Sequence, residues 1–207
     1  QYYSHPLVPI WNTFIRLSFF ILAMLLLSAL KNSMEHEKKL ARTDHLTGAL
    51  NSRFFMDLAQ IEIYRLQRYK HYFTLAYFDL DNFKEVNDQF GHTAGDQALR
   101  TIVSYAKRHL RKNDIVARLG GDEFGLLLPE TNQESARVVL NNLQAGLLEE
   151  MQEKKWPITF SIGALTCGSP ASSPDELLRI ADGLMYAVKR GGKNAINYST
   201  YTGQPLE

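Results

Sequence analysis

The chain has 207 residues, 45% of them hydrophobic, and a formal net charge of +1. That length suffices for one well-buried domain with something attached, and the near-neutral charge argues against duplex nucleic acid as a partner. A single cysteine, Cys167, excludes an internal disulfide framework and reads as a small buried apolar residue in a reducing compartment. The chain begins with Gln1 rather than Met, so residues 1–10 are read as the truncated flank of a longer protein.

From Trp11 to Leu30 the sequence reads WNTFIRLSFFILAMLLLSAL, with Arg16 its only charge. Twenty helical residues rise about 30 Å, the thickness of a bilayer's hydrocarbon core. Apolar residues lie on every face between Leu17 and Leu27, which is not the pattern of an amphipathic core helix. Trp11 suits an interfacial anchor, and Arg16 is close enough to the end to reach headgroups. A transmembrane helix over 11–30 is the reading preferred here; a buried helix of a soluble core and a short membrane-embedded hairpin piece are its rivals. A signal peptide is disfavoured because no basic stretch precedes the apolar run. Lys31, Lys38, Lys39 and Arg42 follow the span and no Lys or Arg precedes Arg16, which places the rest in the cytoplasm. Residues 31–43 form a linker or stalk. There Leu27, Leu30, Met34 and Ala41 fall on an a/d-like spacing interrupted by Glu37, equally compatible with a dimeric stalk and with a solvated helix.

The domain, residues 44–199, opens with a helix over Ser52 to Arg68 and a buried strand from Phe73 that closes on Asp79. Leu80 to Thr93 is polar and irregular with a short helical piece. A helix is predicted over Gly95 to Leu110, with apolar residues at 98, 99, 102, 103, 106 and 110. Two apolar runs around Gly120-Gly121-Asp122-Glu123 then read as a hairpin. A helix over Gln133 to Met151, a strand over Ile158 to Leu165, and a helix from Pro174 to Lys189 with Pro in its first turn follow. Ala195 to Tyr198 is a last short strand, and residues 200–207 are a frayed tail. This order predicts an α+β sandwich of helices against a mainly antiparallel sheet.

Several positions carry candidate chemistry. Asp122 and Glu123 at a glycine tip suit a metal and a ligand pressed to the backbone, although an ordinary acidic turn has the same composition. Asp79, if its strand lies beside the hairpin, converges with Asp122. Two carboxylates and a backbone carbonyl then make a hard, oxygen-lined site of the kind magnesium occupies. Asn82-Phe83-Lys84 offers backbone N–H groups to phosphate at a helix start, with Lys84 as a point charge. Asn87 and Asp96 are a suitable pair for guanine, whose N1–H and N2–H donors adenine lacks; Asp96 beside Gly95 also reads as a helix N-cap. Lys189 and Lys193 bracket Gly191-Gly192 at a helix end, where cations also complement the dipole.

Taken together the chain resembles the GGDEF-domain family, the diguanylate cyclases of bacterial signalling. The resemblance covers Leu40 to Ser199. It rests on ordered motifs: Asp44-His-Leu-Thr-Gly-Ala-Leu-Asn51, Phe78 through Asp88, Phe90 through Asp96, Arg118 through Phe124, Ser161-Ile-Gly163 and Ala181-Asp182 through Lys193-Asn194. It implies a palm-like, nucleotidyl-cyclase-like fold that converts two GTP into cyclic di-GMP and two pyrophosphates as a homodimer on the bacterial inner membrane. By the same resemblance Asp79, the Leu80 carbonyl and Asp122 hold Mg2+, with Mn2+ as the alternative. Asn82, Phe83 and Lys84 hold the β- and γ-phosphates, Asn87 and Asp96 read guanine, and Gly120 and Gly121 let the nucleotide lie on the hairpin. Lys189 and Lys193 neutralise phosphate charge, and Asp122 favours deprotonation of the ribose 3′-OH. Glu123 binds metal or orients the hydroxyl. Arg111 and Asp114 occupy the place of the family's product-inhibition motif. Departures are Lys193 where Arg is common, Val188 for a usual Ala, Gly183-Leu184 within the same helix, and Asn142 where a second inhibitory Arg is often found, with Arg137 a turn away. The rival readings are a catalytically silent receptor for cyclic di-GMP, a cyclase that uses ATP or makes hybrid products, and a structural membrane adaptor.

Overall fold

The structure, a computed structural model, describes residues 7–40 and 42–203, with side chains over 10–31 and 42–203. It divides into two compact units, Gln1–Ala41 and Arg42–Glu207. The described residues of the first form one helix, α1 (Leu7–Leu40), which runs through the expected span and on into the expected stalk as far as Leu40. Its stretch Ile10–Lys31 has a mean hydropathy of 2.2 and none of it is buried. Trp11, Phe19 and Leu27 are exposed along it. Met34, Glu37 and Ala41 of the suggested stalk seam lie outside the described side chains.

The second unit is a six-stranded sheet in the order β1-β3-β4-β2-β5-β6. Its strands are β1 (Leu50–Asn51), β2 (Phe73–Asp81), β3 (Ile115–Gly120), β4 (Glu123–Leu128), β5 (Thr159–Cys167) and β6 (Ile196–Tyr201). The central pairings are antiparallel, while β1 joins β3 and β6 joins β5 in parallel. Helices α3 (Phe83–Phe90), α4 (His92–His109) and α5 (Gln133–Glu153) cover one face; α2 (Ser52–Tyr69) and α6 (Pro174–Arg190) cover the other. The α+β sandwich expected from the element order is therefore observed. Every residue of β2 is buried because the strand is central and covered on both faces. Its alternation sends Ala76, Phe78 and Leu80 into the first core and Phe73, Leu75 and Tyr77 into the second. Phe78 stacks on Phe124 at 5.1 Å between ring centroids, which locks β2 to β4 near the hairpin tip.

Several boundaries differ from expectation, and one strand was not expected. β2 continues two residues beyond Asp79, because Leu80 and Asp81 remain paired with β5. α4 begins at His92, since Gly91 at φ 81 is its N-cap, so Asp96 lies inside the helix and is not its cap. β6 reaches Tyr201, which is 3% exposed and donates its hydroxyl to Glu176 at 2.8 Å; the tail does not fray there. The two-residue β1 was invisible to pattern reading because its existence depends on β3, a distant stretch of chain.

Candidate active site

At one end of β2, strand alternation puts Asp79 and Asp81 on the face covered by α2 and α6, with Glu123 of β4 paired directly to Asp79. The antiparallel register also brings the hairpin tip across: the Leu80 N–H donates to the Asp122 carbonyl at 3.3 Å. Asp79 and Asp122, expected to converge, are neighbours at this end. Lys189, in the last turn of α6, puts its Nζ 2.6 Å from Asp79 Oδ1. That approach is a buried ion pair. Burial, opposed by Lys189 and reinforced by the charges of Asp122 and Glu123, pushes the Asp79 carboxyl up to about 6.

A buried carboxylate that shares one lysine with two further carboxylates leaves negative charge in excess, and that excess fits a divalent cation. Asp79, Asp122 and the Leu80 carbonyl are the groups that would hold it. Among the described residues no three His, Cys, Asp or Glu side chains gather as a ready-made metal cage. A site with so few protein ligands suits an ion that completes its shell with water and phosphate oxygens, as magnesium does. Asp81, two residues on, is built differently. Its Oδ1 accepts from Ser161 Oγ at 2.8 Å, and its Oδ2 accepts from Thr159 Oγ1 at 2.8 Å and from the Asn194 N–H at 3.2 Å. Asp81 is a structural tie between β2, β5 and the turn after α6.

Asn82 leaves the strand in the left-handed region, φ 62, and its carbonyl caps the Glu85 N–H. Its side chain is fixed from two sides: Lys193 Nζ donates to Oδ1 at 2.8 Å, and Nδ2 donates to the Pro157 carbonyl at 3.1 Å. The first-turn N–H groups of Phe83 and Lys84 consequently have no intrahelical acceptor and face an anion-ready helix start. The Lys84 side chain is exposed beside them. Asn87 and Asp96, on α3 and α4, lie next to Gly95, against which the Asn87 and Phe83 side chains pack. Among the described residues neither side chain has a hydrogen-bond or ion-pair partner.

Sequence reading assigned no role to two further groups. Arg118 donates to the Gly121 carbonyl from Nε at 2.8 Å and from Nη2 at 2.7 Å, and its Nη1 reaches Asp44 at 3.2 Å. Gly121 is at φ 41, a left-handed turn that glycine adopts without strain. Asp44 in turn accepts from the Thr47 N–H and hydroxyl. Burial works against its charge, yet those bonds and Arg118 hold its carboxyl below the usual range. The start of the domain is thereby clamped to the hairpin tip. Tyr77, also on the α6 face, lies beside Glu123; burial and the carboxylates of Glu123, Asp182 and Asp79 push its phenol up. The pairing of Asp44 with Arg118 spans 74 residues, and no local pattern could have revealed it.

Arg111 and Asp114 close a turn on each other: the Arg111 N–H donates to Asp114 Oδ2 at 2.9 Å and the Asp114 N–H to the Arg111 carbonyl at 3.0 Å. Beside them is a cavity of about 480 Å³ that Glu62, Arg65, Lys112 and Glu130 also line. Arg65, from α2, pairs there with Glu62 at 2.7 Å. Arg137, a turn from Asn142, lies over the Tyr198 ring at 4.3 Å.

A central antiparallel sheet with paired acids at a glycine hairpin, a lysine over them and an open helix start defines a domain suited to a metal and a phosphorylated ligand. Residues 41–195 match the family described as diguanylate cyclase, GGDEF domain, and the chain belongs to that family. It is 32% identical over 164 residues to a probable diguanylate cyclase of Escherichia coli, DgcT, covering 77% of this chain and 36% of that protein. It is 33% identical over 171 residues to the diguanylate cyclase DgcP of Pseudomonas aeruginosa, covering 81% and 25%. The coiled coil and GGDEF domain of DgcB from Caulobacter crescentus, solved in complex with cyclic di-GMP, superposes with a TM-score of 0.69 at 25% identity. That match covers 88% of this chain and 98% of that one. The chain spans only about a quarter to a third of the length of the two curated relatives.

Proposed function

We propose that this chain is the catalytic part of a membrane-anchored diguanylate cyclase that condenses two GTP into cyclic di-GMP and two pyrophosphates. The observation that carries the reading is the buried Asp79 carboxylate gathered with Asp122, Glu123 and Lys189. Phosphoryl-type transfer depends on positioning and charge neutralisation more than on covalent help. Magnesium held by Asp79, the Leu80 carbonyl and Asp122 would supply charge neutralisation at the phosphates and acidify the ribose hydroxyl. The Phe83 and Lys84 N–H groups bind the β- and γ-phosphates, and Lys193 keeps the loop around Asn82 in place. Gly120 and Gly121 leave room for the nucleotide, and Asn87 with Asp96 hydrogen-bonds guanine. The 3′-oxygen of one GTP bonds to the α-phosphorus of the other, and the α–β bridging bond breaks as pyrophosphate leaves. The hydroxyl proton passes toward Asp122, with Glu123 orienting the hydroxyl. Lys189 stabilises the charge that builds on the phosphates.

Each domain holds one GTP and the product needs two, so the active unit is an antiparallel homodimer. The exposed apolar surface of Ile10–Lys31 and the basic residues after it support an inner-membrane anchor with the domain in the cytoplasm. Arg111, Asp114 and Arg65 bind the product as an inhibitor. Incubation with GTP and magnesium followed by nucleotide chromatography tests the reading. Cyclic di-GMP is expected from the wild type and is lost at least about 10³-fold in Asp122→Ala. Tight cyclic di-GMP binding by a wild type that forms no product would instead favour the receptor.

A further inference from the structure

Gly95 sits inside α4, where glycine is a poor helix residue relative to alanine. The reason for it is spatial. A Cβ built there would run into the Asn87 side-chain amide, and its next neighbour, at 3.1 Å, is the Phe83 ring. Phe83 is packed against the core and cannot retreat, whereas the Asn87 amide is the free end of a rotatable side chain. A methyl group at 95 would therefore push the amide out of place and leave the backbone standing. Asn87 is half-buried and has no hydrogen-bond partner among the described residues, so its amide is held by packing, and the bare Cα of Gly95 is one of the surfaces it packs on. The next residue on α4 is Asp96.

We propose that Gly95 is a specificity-determining positioning residue: its missing side chain seats the Asn87 amide beside Asp96, so that amide and carboxylate address one purine together. The inference rests on the guanine-reading role proposed above and adds the element that orients it. A site whose polar groups are preset discriminates between purines, since the wrong base leaves a donor or acceptor unpaired.

A double-mutant cycle over Gly95→Ala and Asn87→Ala tests this through KM and thermal melting. Gly95→Ala is expected to raise KM for GTP about tenfold and to lower the preference for GTP over ATP by a similar factor, with kcat within about twofold. In the Asn87→Ala background the same change should add nothing to KM, and it should lower Tm less than in the wild type, because the clash with the amide is gone and only the tight contact with the Phe83 ring is left. An unchanged KM in Gly95→Ala, or independent effects that multiply in the double variant, would overturn the proposal. Should Gly95→Ala fail to fold, recovery of folding in the double variant supports the contact and continued failure overturns it. The melting arm does not need turnover. A wild type inert toward GTP would therefore sink the cyclase reading, while the seating of Asn87 by Gly95 is still decided by Tm.

Discussion

The two sides of the end of β2 carry one carboxylate each, on the same face and two residues apart, and they have opposite fates. On the β5 side Asp81 is 2% exposed and accepts three hydrogen bonds from Ser161, Thr159 and the Asn194 N–H. On the β4 side Asp79, 6% exposed, has Lys189 Nζ 2.6 Å from its Oδ1 and faces two more acids. Asp81 is satisfied by hydrogen bonds that hold the fold together. Around Asp79 three carboxylates share one lysine, and that excess of negative charge suits a ligand site. Burial alone would have ranked the two acids the same; partner geometry separates them.

The widest separation is expected from substitution. Asp79→Asn should reduce product formation at least about 10³-fold while leaving the metal-free protein as stable as before or more so, read from turnover and melting together. Asp81→Ala should do the reverse, costing about 3 kcal/mol by stranding two hydroxyls and an N–H, and lowering turnover of the folded fraction less than about tenfold. If Asp81→Ala melted like the wild type, the contrast would be broken.

Titration should divide the two acids next. Asp79 ionises at about 6 in the folded chain against 3.8 when unfolded, so between those values the folded chain keeps a proton that the unfolded chain has lost. Stability of the metal-free protein should therefore decline as pH rises from 3.8 to 6 and level off above, a loss of roughly 3 kcal/mol. Asp79→Asn should flatten that decline, and magnesium added near pH 7.5 should raise Tm in the wild type but not in the variant. A decline that persists in Asp79→Asn would assign it to another group.

Arg118 tests whether the open side needs outside support. Arg118→Ala releases the Gly121 carbonyl and Asp44, and turnover should fall about tenfold to a hundredfold through misplacement of Asp122. Unchanged turnover would mean that the hairpin holds its own shape. The smallest effect on catalysis is expected at the intermediate case, Asp114, whose carboxyl burial raises against the pull of the Arg111 N–H and charge. Arg111→Ala should leave initial turnover within about twofold and abolish inhibition by added cyclic di-GMP, since it removes a forked donor without touching β2.

The sequence by itself determined what local periodicity and local chemistry encode. The helix over Gln133–Glu153, the hairpin around Gly120-Gly121 and the helix opened by Pro174 all stand within two residues of where their patterns put them, while the apolar helix extends well past its expected ends, from Leu7 to Leu40. Pro174 at the first turn and Ser173 as cap are sequence-local signals. The motifs also named Asp79, Asp122, Asn87 and Asp96 as a set before any geometry was known. Tertiary structure alone decided which of these acids is satisfied, that Arg118 reaches back to Asp44, that Arg65 joins Arg111, and that Gly95 yields its space to Asn87. Helix and strand periods report which face a residue occupies. Hydrogen-bond satisfaction depends on partners such as Asn194, 113 residues from Asp81, whose arrival only the closed sheet and its packed helices dictate.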